Sequence, residues 1–291
     1  MTLSIVIVNW NTRQLLEECL GSILKFGERV DYEIIVIDNA SRDGSQKFLS
    51  GFNVDNSNFK VILNHQNLGF AKAVNQGMKA SKGDYILLLN PDAQTKEKAF
   101  ESLIGFMEKN KNCGIVGGKI LNDDGSTQAS VRGFPSFGSQ FFILLKLHHF
   151  VKPKTIKNYF LTNFRYDQGQ EVEQVMGAFF LIRRKVIEKI GYFDDKFFLW
   201  FEEVDFCYRT KKAGWKVFYH PEAETIHLGG ASFSQKISFK NQWQFNKSLL
   251  YYFRKHHSFF SFFVLLTITP FSLFLSFVSS VFPFFQRFKK I

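Results

Sequence analysis

The stretch Leu3-Ser4-Ile5-Val6-Ile7-Val8-Asn9-Trp10-Asn11 sets the reading of the first half of the chain. A short apolar run that turns abruptly polar reads as a strand buried on both faces, ending where a ligand could meet it. It lacks the basic start and long apolar run of a signal peptide. Similar runs recur at residues 33–38, 60–63, 85–89 and 115–119. Between them, apolar residues at helical spacing occupy 12–26, 43–49, 70–80 and 96–109. Thr12 and Asp43 suit helix N-caps, and Gly27 and Gly83 suit terminators. The alternation predicts an α/β fold: a Rossmann-like, nucleotide-binding parallel sheet with helices on both faces.

Further along, Asp123-Asp124-Gly125-Ser126 reads as a hairpin turn. Residues 134–170 carry no clear period and read as a loop and helix over the site, or a membrane-contacting flap. A strand at 175–182, a helix at 184–190, an acidic helix, a short strand at 216–219 and a helix at 237–254 come next. No internal repeat is present.

The chain has 291 residues and a net charge of +11. None of its 26 acidic residues lies after Glu224, whereas eight of its 37 basic residues do, so the body before that point is near balance. Residues 258–286 contain no charge, long enough to span a bilayer, and Pro270 divides them. Arg254 and Lys255 precede this segment and Arg287, Lys289 and Lys290 come after it. Cations on both flanks point to a re-entrant or interfacial hairpin, with a single tilted span or a buried helix as alternatives. Flanked by Phe and Leu, the basic excess fits an anionic membrane surface better than nucleic acid. Cys19, Cys113 and Cys207 form no metal or disulfide spacing and indicate a reducing compartment.

In open parallel sheets, ligands bind beyond the carboxyl ends of the strands. Here those ends carry Asn9 and Asn11, Asp38 to Ser41, Asn64 to Gly69, and Asn90-Pro91-Asp92. They describe a nucleotide-sized crevice, although Asn39 and Asn64 taken singly read as turn chemistry. Neither Gly-x-Gly-x-x-Gly after the first strand nor Gly-Lys-Ser/Thr is present, which excludes the usual dinucleotide and phosphate-loop schemes. Asp92 suits a hard metal bridging to phosphates; the bland alternative is a type I turn. His227 taken singly is a ligand or a packed histidine. Phe197-Phe198-Leu199-Trp200-Phe201-Glu202-Glu203-Val204-Asp205 sets three acids beside apolar residues. Either one is a cleft carboxylate, or all three answer a helix dipole.

Together these segments resemble family 2 glycosyltransferases of the GT-A fold, most of all the bacterial rhamnosyltransferase-like branch. The ordered series runs from residues 4–11 and 35–45 through 67–77 and 88–92 to 177–184, 191–194, the acidic stretch and His227-Leu228-Gly229-Gly230. It covers about residues 3–255. The resemblance implies that Asp38 reads the nucleotide base. It further implies that Val8, Asn9, Asn11, Asn67, Gly69, Asn90 and Asp92 contact the donor. Asp92 matches the last acid of the family's metal motif, with Asn90 in place of the first, so Mg2+ or Mn2+ would rest on Asp92 and His227. Glu203 takes the general-base position, usually Asp, with Glu202 and Asp205 as alternates. Trp200 would stack on an acceptor sugar or belong to the core.

The activity implied by the resemblance is that of an inverting transferase, at the cytoplasmic face of a bacterial inner membrane. It would move a sugar, rhamnose favoured, from a dTDP- or UDP-linked donor to a glycan or lipid-linked glycan. The expected layout is a catalytic domain at 1–235, its donor half about 1–120 and its acceptor half about 121–235. A basic amphipathic helix at 236–257 and a membrane-associated tail at 258–291 complete it. No Gln-x-x-Arg-Trp of processive synthases occurs. Rival readings are a sugar nucleotidyltransferase, for which only Arg13 supplies charge near the first strand, and an inactive nucleotide-sugar-binding scaffold.

Overall fold

The computed structural model describes residues 1–27, 29–52, 58–229 and 239–281. Gly230, residues 237–238 and the tail end, with Pro283, Arg287, Lys289 and Lys290, lie outside the described residues. The first half runs β1 (Leu3–Asn9), α1 (Arg13–Phe26), β2 (Tyr32–Asp38), α2 (Ser45–Phe52), β3 (Phe59–Leu63) and α3 (Phe70–Ala80). Then come β4 (Tyr85–Leu89), β5 (Ala93–Thr95), α4 (Ala99–Lys109) and β6 (Cys113–Leu121). The second half holds β7 (Val131–Arg132), α5 (Phe137–Leu144), α6 (Lys154–Phe160), β8 (Gln170–Val172), β9 (Gln174–Val175) and β10 (Phe179–Arg183). It closes with α7 (Arg184–Ile190), α8 (Glu202–Lys212), β11 (Lys216–His227), α9 (Phe239–His256) and α10 (Phe259–Val281).

The main sheet has the order β3-β2-β1-β4-β10-β6-β11-β5, with β8 paired to β11. Side chains alternate between its two faces, as strand geometry requires. Ile5 and Ile7 of β1 pack with Leu16, Cys19 and Leu20 of α1. Val6 packs with Ala71, Val74 and Met78 of α3 on the other face.

One expectation is corrected. The sheet is mixed rather than parallel, because β10 enters antiparallel between β4 and β6. The run at 175–182 is not one strand either. Val175 pairs with Val131 in a separate two-stranded sheet, and the chain turns at Gly177 and Ala178 before β10 begins. The short strand expected at 216–219 continues to His227, across a register shift between His220 and Glu224 that absorbs Pro221. The turn at 123–126 forms, closed by Asn122 N–H on the Ser126 carbonyl at 2.8 Å. Thr12 sits at the N-cap of α1, but its hydroxyl donates to Asn9 Oδ1 at 2.7 Å instead of capping. Asp43 serves two helix starts, accepting from Ser45 N–H at 3.1 Å and Arg13 N–H at 2.8 Å.

In the tail, Pro270 does not divide the helix; α10 runs through it. Thr267 and Thr269 hydroxyls donate to the carbonyls of Val264 and Leu265 at 2.8 and 2.9 Å, in the turn just before the proline. Phe259–Val278 has mean hydropathy 2.0 and is only 22% buried, so α10 is long and apolar enough to cross a membrane and is not a core helix.

Candidate active site

The ends of β1, β2 and β3 open onto one cleft of about 610 Å³, lined among others by Trp10, Asn11, Ser41, Arg42, His65 and Asn67. Beneath it the polar groups are bonded to one another. Asp38, fully buried, accepts from Asn9 Nδ2 at 2.8 Å, Ser41 N–H at 2.9 Å and Gln46 Nε2 at 2.9 Å. Asn9 is fully buried as well and spends its carbonyl on Thr12. Both residues, expected at the donor, therefore lie under the rim and hold Ser41 and the β1 end in place. Asn11 stands exposed at φ 54°, its side chain accepting from Arg42 N–H at 2.7 Å. Val8 is half-buried at the end of β1.

Asn39 and Asn64, read singly as turn residues, work as a ladder. Asn39 donates to Asn67 Oδ1 at 2.9 Å and accepts from Leu68 N–H at 3.0 Å. Asn64 and Gln76 exchange two amide bonds of 2.9 Å. Asn67 also accepts from Gly69 N–H at 2.9 Å. Gly69 has φ +85°, and a Cβ there would stand 2.6 Å from the Phe198 carbonyl oxygen. Only glycine fits such a position. That carbonyl takes the N–H of Phe70 at 2.7 Å, which fastens the start of α3 to the loop leading into α8.

At the fourth strand end, His227 Nε2 lies 3.2 Å from Asp92 Oδ1 and 3.2 Å from Asn90 Nδ2. Its Nδ1 is 2.8 Å from Gln128 Oε1, whose amide is oriented by a 3.0 Å bond from Nε2 to Asn122 Oδ1. Gln128 Oε1 can only accept, so Nδ1 donates to it and the ring turns Nε2 toward Asp92 and Asn90. A ring nitrogen and a carboxylate oxygen this close can share a proton or hold a cation between them. Among the described residues no three His, Cys, Asp or Glu side chains cluster as a metal cage. Two protein donors, with water and a diphosphate completing the shell, is how divalent cations bind alongside phosphate substrates. Asp92 and His227 therefore fit such an ion.

The acids of α8 divide. Asp205 is fully buried and paired with Arg209 at 2.7 Å, Lys255 at 2.7 Å and His256 at 2.6 Å. Although burial opposes ionisation, these partners hold its carboxyl down to about 2. It ties α8 to α9 and has no oxygen to spare for a substrate proton, which removes it from the base alternates. Glu202 and Glu203 each keep a buried Oε2 without a hydrogen-bond partner. Burial raises both carboxyls, and the neighbouring Glu203 charge raises Glu202 further. Trp200 and Phe201, at φ 65° and 70°, make the strained entry to α8, a backbone cost that accompanies functional sites. Trp200 packs near Phe245 of α9, ring centroids 6.1 Å apart.

The turn between β9 and β10 joins the two groups. Ala178 carbonyl accepts from Asn90 N–H at 3.1 Å, and a Cβ at Gly177 would stand 3.8 Å from Glu203 Cβ. Base candidate and metal candidate thus flank one glycine turn. Sequence reasoning did not find Gln128, Gln46 or Gln76. Glutamines in polar surroundings carry no signal until their partners are in place.

This is a nucleotide-type crevice in a mixed α/β sheet. Its fold is that of the crystal structure of GalNAc-T7 with UDP, GalNAc and Mn2+, at TM-score 0.59 and 18% identity. The match covers 78% of this chain and 44% of that one. The architecture is therefore of GT-A type. The chain belongs to glycosyl transferase family 2, whose model matches residues 4–191, and is a glycosyltransferase. It is 28% identical to the N-acetylglucosaminyl-diphospho-decaprenol L-rhamnosyltransferase of Mycobacterium tuberculosis, over 77% of this chain and 75% of that protein. It is 23% identical to the rhamnosyltransferase WbbL of Escherichia coli, over 76% of this chain and 92% of that one. Glu203 and His227 lie beyond the span that the family model matches.

Proposed function

We propose that the chain is an inverting glycosyltransferase of bacterial surface polysaccharide synthesis. It transfers a sugar, rhamnose first among the options, from a dTDP- or UDP-linked donor to a glycan or lipid-linked glycan hydroxyl. The observation that carries this reading is Glu203: a half-buried residue whose Oε2 is buried without a hydrogen-bond partner and whose carboxyl is raised by burial, one glycine turn away from the Asn90 end of β4. Names of the relatives support the sugar and the lipid carrier.

The nucleoside lies along Trp10, Asn11, Ser41 and Arg42, with the indole free to stack on a base. Asn67 and the glycine at 69 let the backbone approach the donor. Asp92 and His227 would hold Mg2+ or Mn2+, which would supply positive charge to neutralise the diphosphate leaving group. Glu203 accepts the proton of the acceptor hydroxyl, and Trp200 offers its face to the acceptor sugar. The hydroxyl oxygen bonds to the anomeric carbon as the bond from that carbon to the diphosphate oxygen breaks on the opposite side. Configuration inverts, and the proton ends on Glu203. Glu202, the more deeply buried acid, has its carboxyl raised by burial and by the Glu203 charge beside it.

In this reading the chemistry takes place at the cytoplasmic face of the inner membrane, with α10 in the bilayer; the length and apolar composition of α10 support it. The proposed layout is a catalytic unit over 1–235, the helix at 236–257 and the tail at 258–291. The test is turnover of dTDP-rhamnose and UDP-hexoses with Mg2+ or Mn2+ on a lipid-linked acceptor, with product configuration read by NMR. An inverted product from one donor is expected; a retained configuration, or no transfer from any donor, would sink the proposal.

A further inference from the structure

The chain contains two long acid-free stretches, residues 125–166 and 225–291. The first carries six cations and the second eight, which leaves 23 basic against 26 acidic residues in the remainder. The whole positive excess therefore resides in two segments far apart in sequence. They meet in the fold. Helix α5 packs on α10, with Phe137 and Phe260 rings 6.4 Å apart. Just after α5, Lys146 Nζ reaches Gln242 Oε1 of α9 at 3.5 Å.

Around this junction, large apolar side chains and cations stand outward together. Phe150 is 70% exposed and Val151 49%, and exposed Lys152, Lys154 and Lys157 come directly after them. On α9 the outward stripe is Trp243, Lys247 and Arg254, at the four- and seven-residue spacing of one helix face. Trp243 is 49% exposed. Aromatic rings interleaved with long cations, and with no acid among them, are the composition of a segment lying in a membrane interface.

We propose that residues 147–157 and the outward stripe of α9 form one docking surface for an anionic phospholipid membrane, distinct from the insertion of α10. The inference rests on the membrane reading of α10. Only His257 and Ser258 separate α9 from α10, so a bilayer that takes up α10 meets the end of α9. Charge complementarity selects anionic headgroups, each lysine near such a surface adding attraction. Residues of α9 off that stripe grip the loop before α8. Ser248 Oγ donates to the Leu199 carbonyl at 2.7 Å, and Tyr251 donates to Asp194 at 2.8 Å. Trp200 and the start of α8 thus lie against the helix that carries the lipid face, within one helix diameter, ~10 Å. A lipid-linked acceptor would meet Glu203 at the bilayer surface without leaving it.

The test uses the full chain with vesicles of phosphatidylcholine, or of phosphatidylcholine with phosphatidylglycerol, some carrying brominated acyl chains. Binding to both is expected, tighter to the anionic vesicles, with bromine quenching of tryptophan emission that disappears in Trp243→Phe. Replacing Lys152, Lys154 and Lys157 by Gln lowers partition into anionic vesicles by about fivefold per lysine and leaves zwitterionic binding unchanged. If the chain binds vesicles, yet Trp243 is not quenched and the lysine variants partition as the parent does, α10 acts alone and the surface is refuted. If the chain binds neither vesicle, the membrane reading of α10 falls as well. Loss of self-association in detergent on Phe150→Asp, with vesicle binding unchanged, would assign the face to a second copy of this chain.

Discussion

The crevice around Asp38 and the start of α8, the proposed donor and acceptor sides, treat their polar groups in opposite ways. At the donor end, Asp38, Asn9, Asn39, Asn64 and Gln76 satisfy one another in a closed network. At the acceptor end, Glu202 and Glu203 keep buried oxygens with no partner. A satisfied network rigidifies and so presents a preformed surface for binding. An unsatisfied buried carboxylate costs stability and is held ready for a proton. In the proposed scheme the first would bind and the second react, while Asp205, two residues beyond Glu203, has its charge satisfied by Arg209, Lys255 and His256.

The sharpest way to break this contrast is Glu203→Gln. Loss of the base is expected to cut kcat on the order of 10² to 10⁴-fold with nucleotide affinity unchanged. Intact turnover in a steady-state assay would remove Glu203 from the chemistry. Next, Asp205→Asn strands Arg209, Lys255 and His256 around a buried neutral group. About 3–5 kcal/mol of stability should be lost in chemical denaturation. Because the folded pKa of Asp205 is depressed, its contribution is present above the ordinary aspartate pKa and is lost as pH falls toward about 2. The asparagine variant should therefore show a weaker dependence of stability on pH in that acidic window.

Gln128→Ala frees the His227 ring while leaving both metal donors present. Mn2+ affinity, tracked by its EPR signal, should weaken about 10- to 100-fold; unchanged affinity would show that ring orientation is fixed elsewhere. The smallest effect expected is a shift in position. The raised pKa of Glu203 places the acidic limb of the kcat profile above the ordinary glutamate range, with activity rising as pH passes through it. A limb at the ordinary value would mean that the carboxylate is solvated in the working enzyme.

Much of the frame was legible before any coordinates. Continuous apolar runs gave strands, and Gly69 and the polar strand ends marked the cleft. The parallel reading of the sheet failed at β10, because an apolar run such as Phe179–Arg183 looks the same whichever way its neighbours run. The strand read at 216–219 runs on to His227, past Pro221, across a register shift that sequence alone does not show. Pro270 read as a divider, yet two threonine hydroxyls occupy neighbouring carbonyls in the unbroken helix.

By itself, the sequence determined the α/β alternation, the family resemblance, the basic acid-free tail and the short set of acids to consider. Local pattern and composition suffice for these, since burial period and charge are properties of neighbouring residues. Only the tertiary structure ranked the acids, for Glu202, Glu203 and Asp205 occupy a single helical turn and differ only in what surrounds them. Asp205 meets Lys255 and His256 from a helix some fifty residues later, while Glu203 meets a glycine turn and no cation. The reactivity of a carboxylate is set by desolvation and by nearby charge, and both are decided by residues remote in the chain.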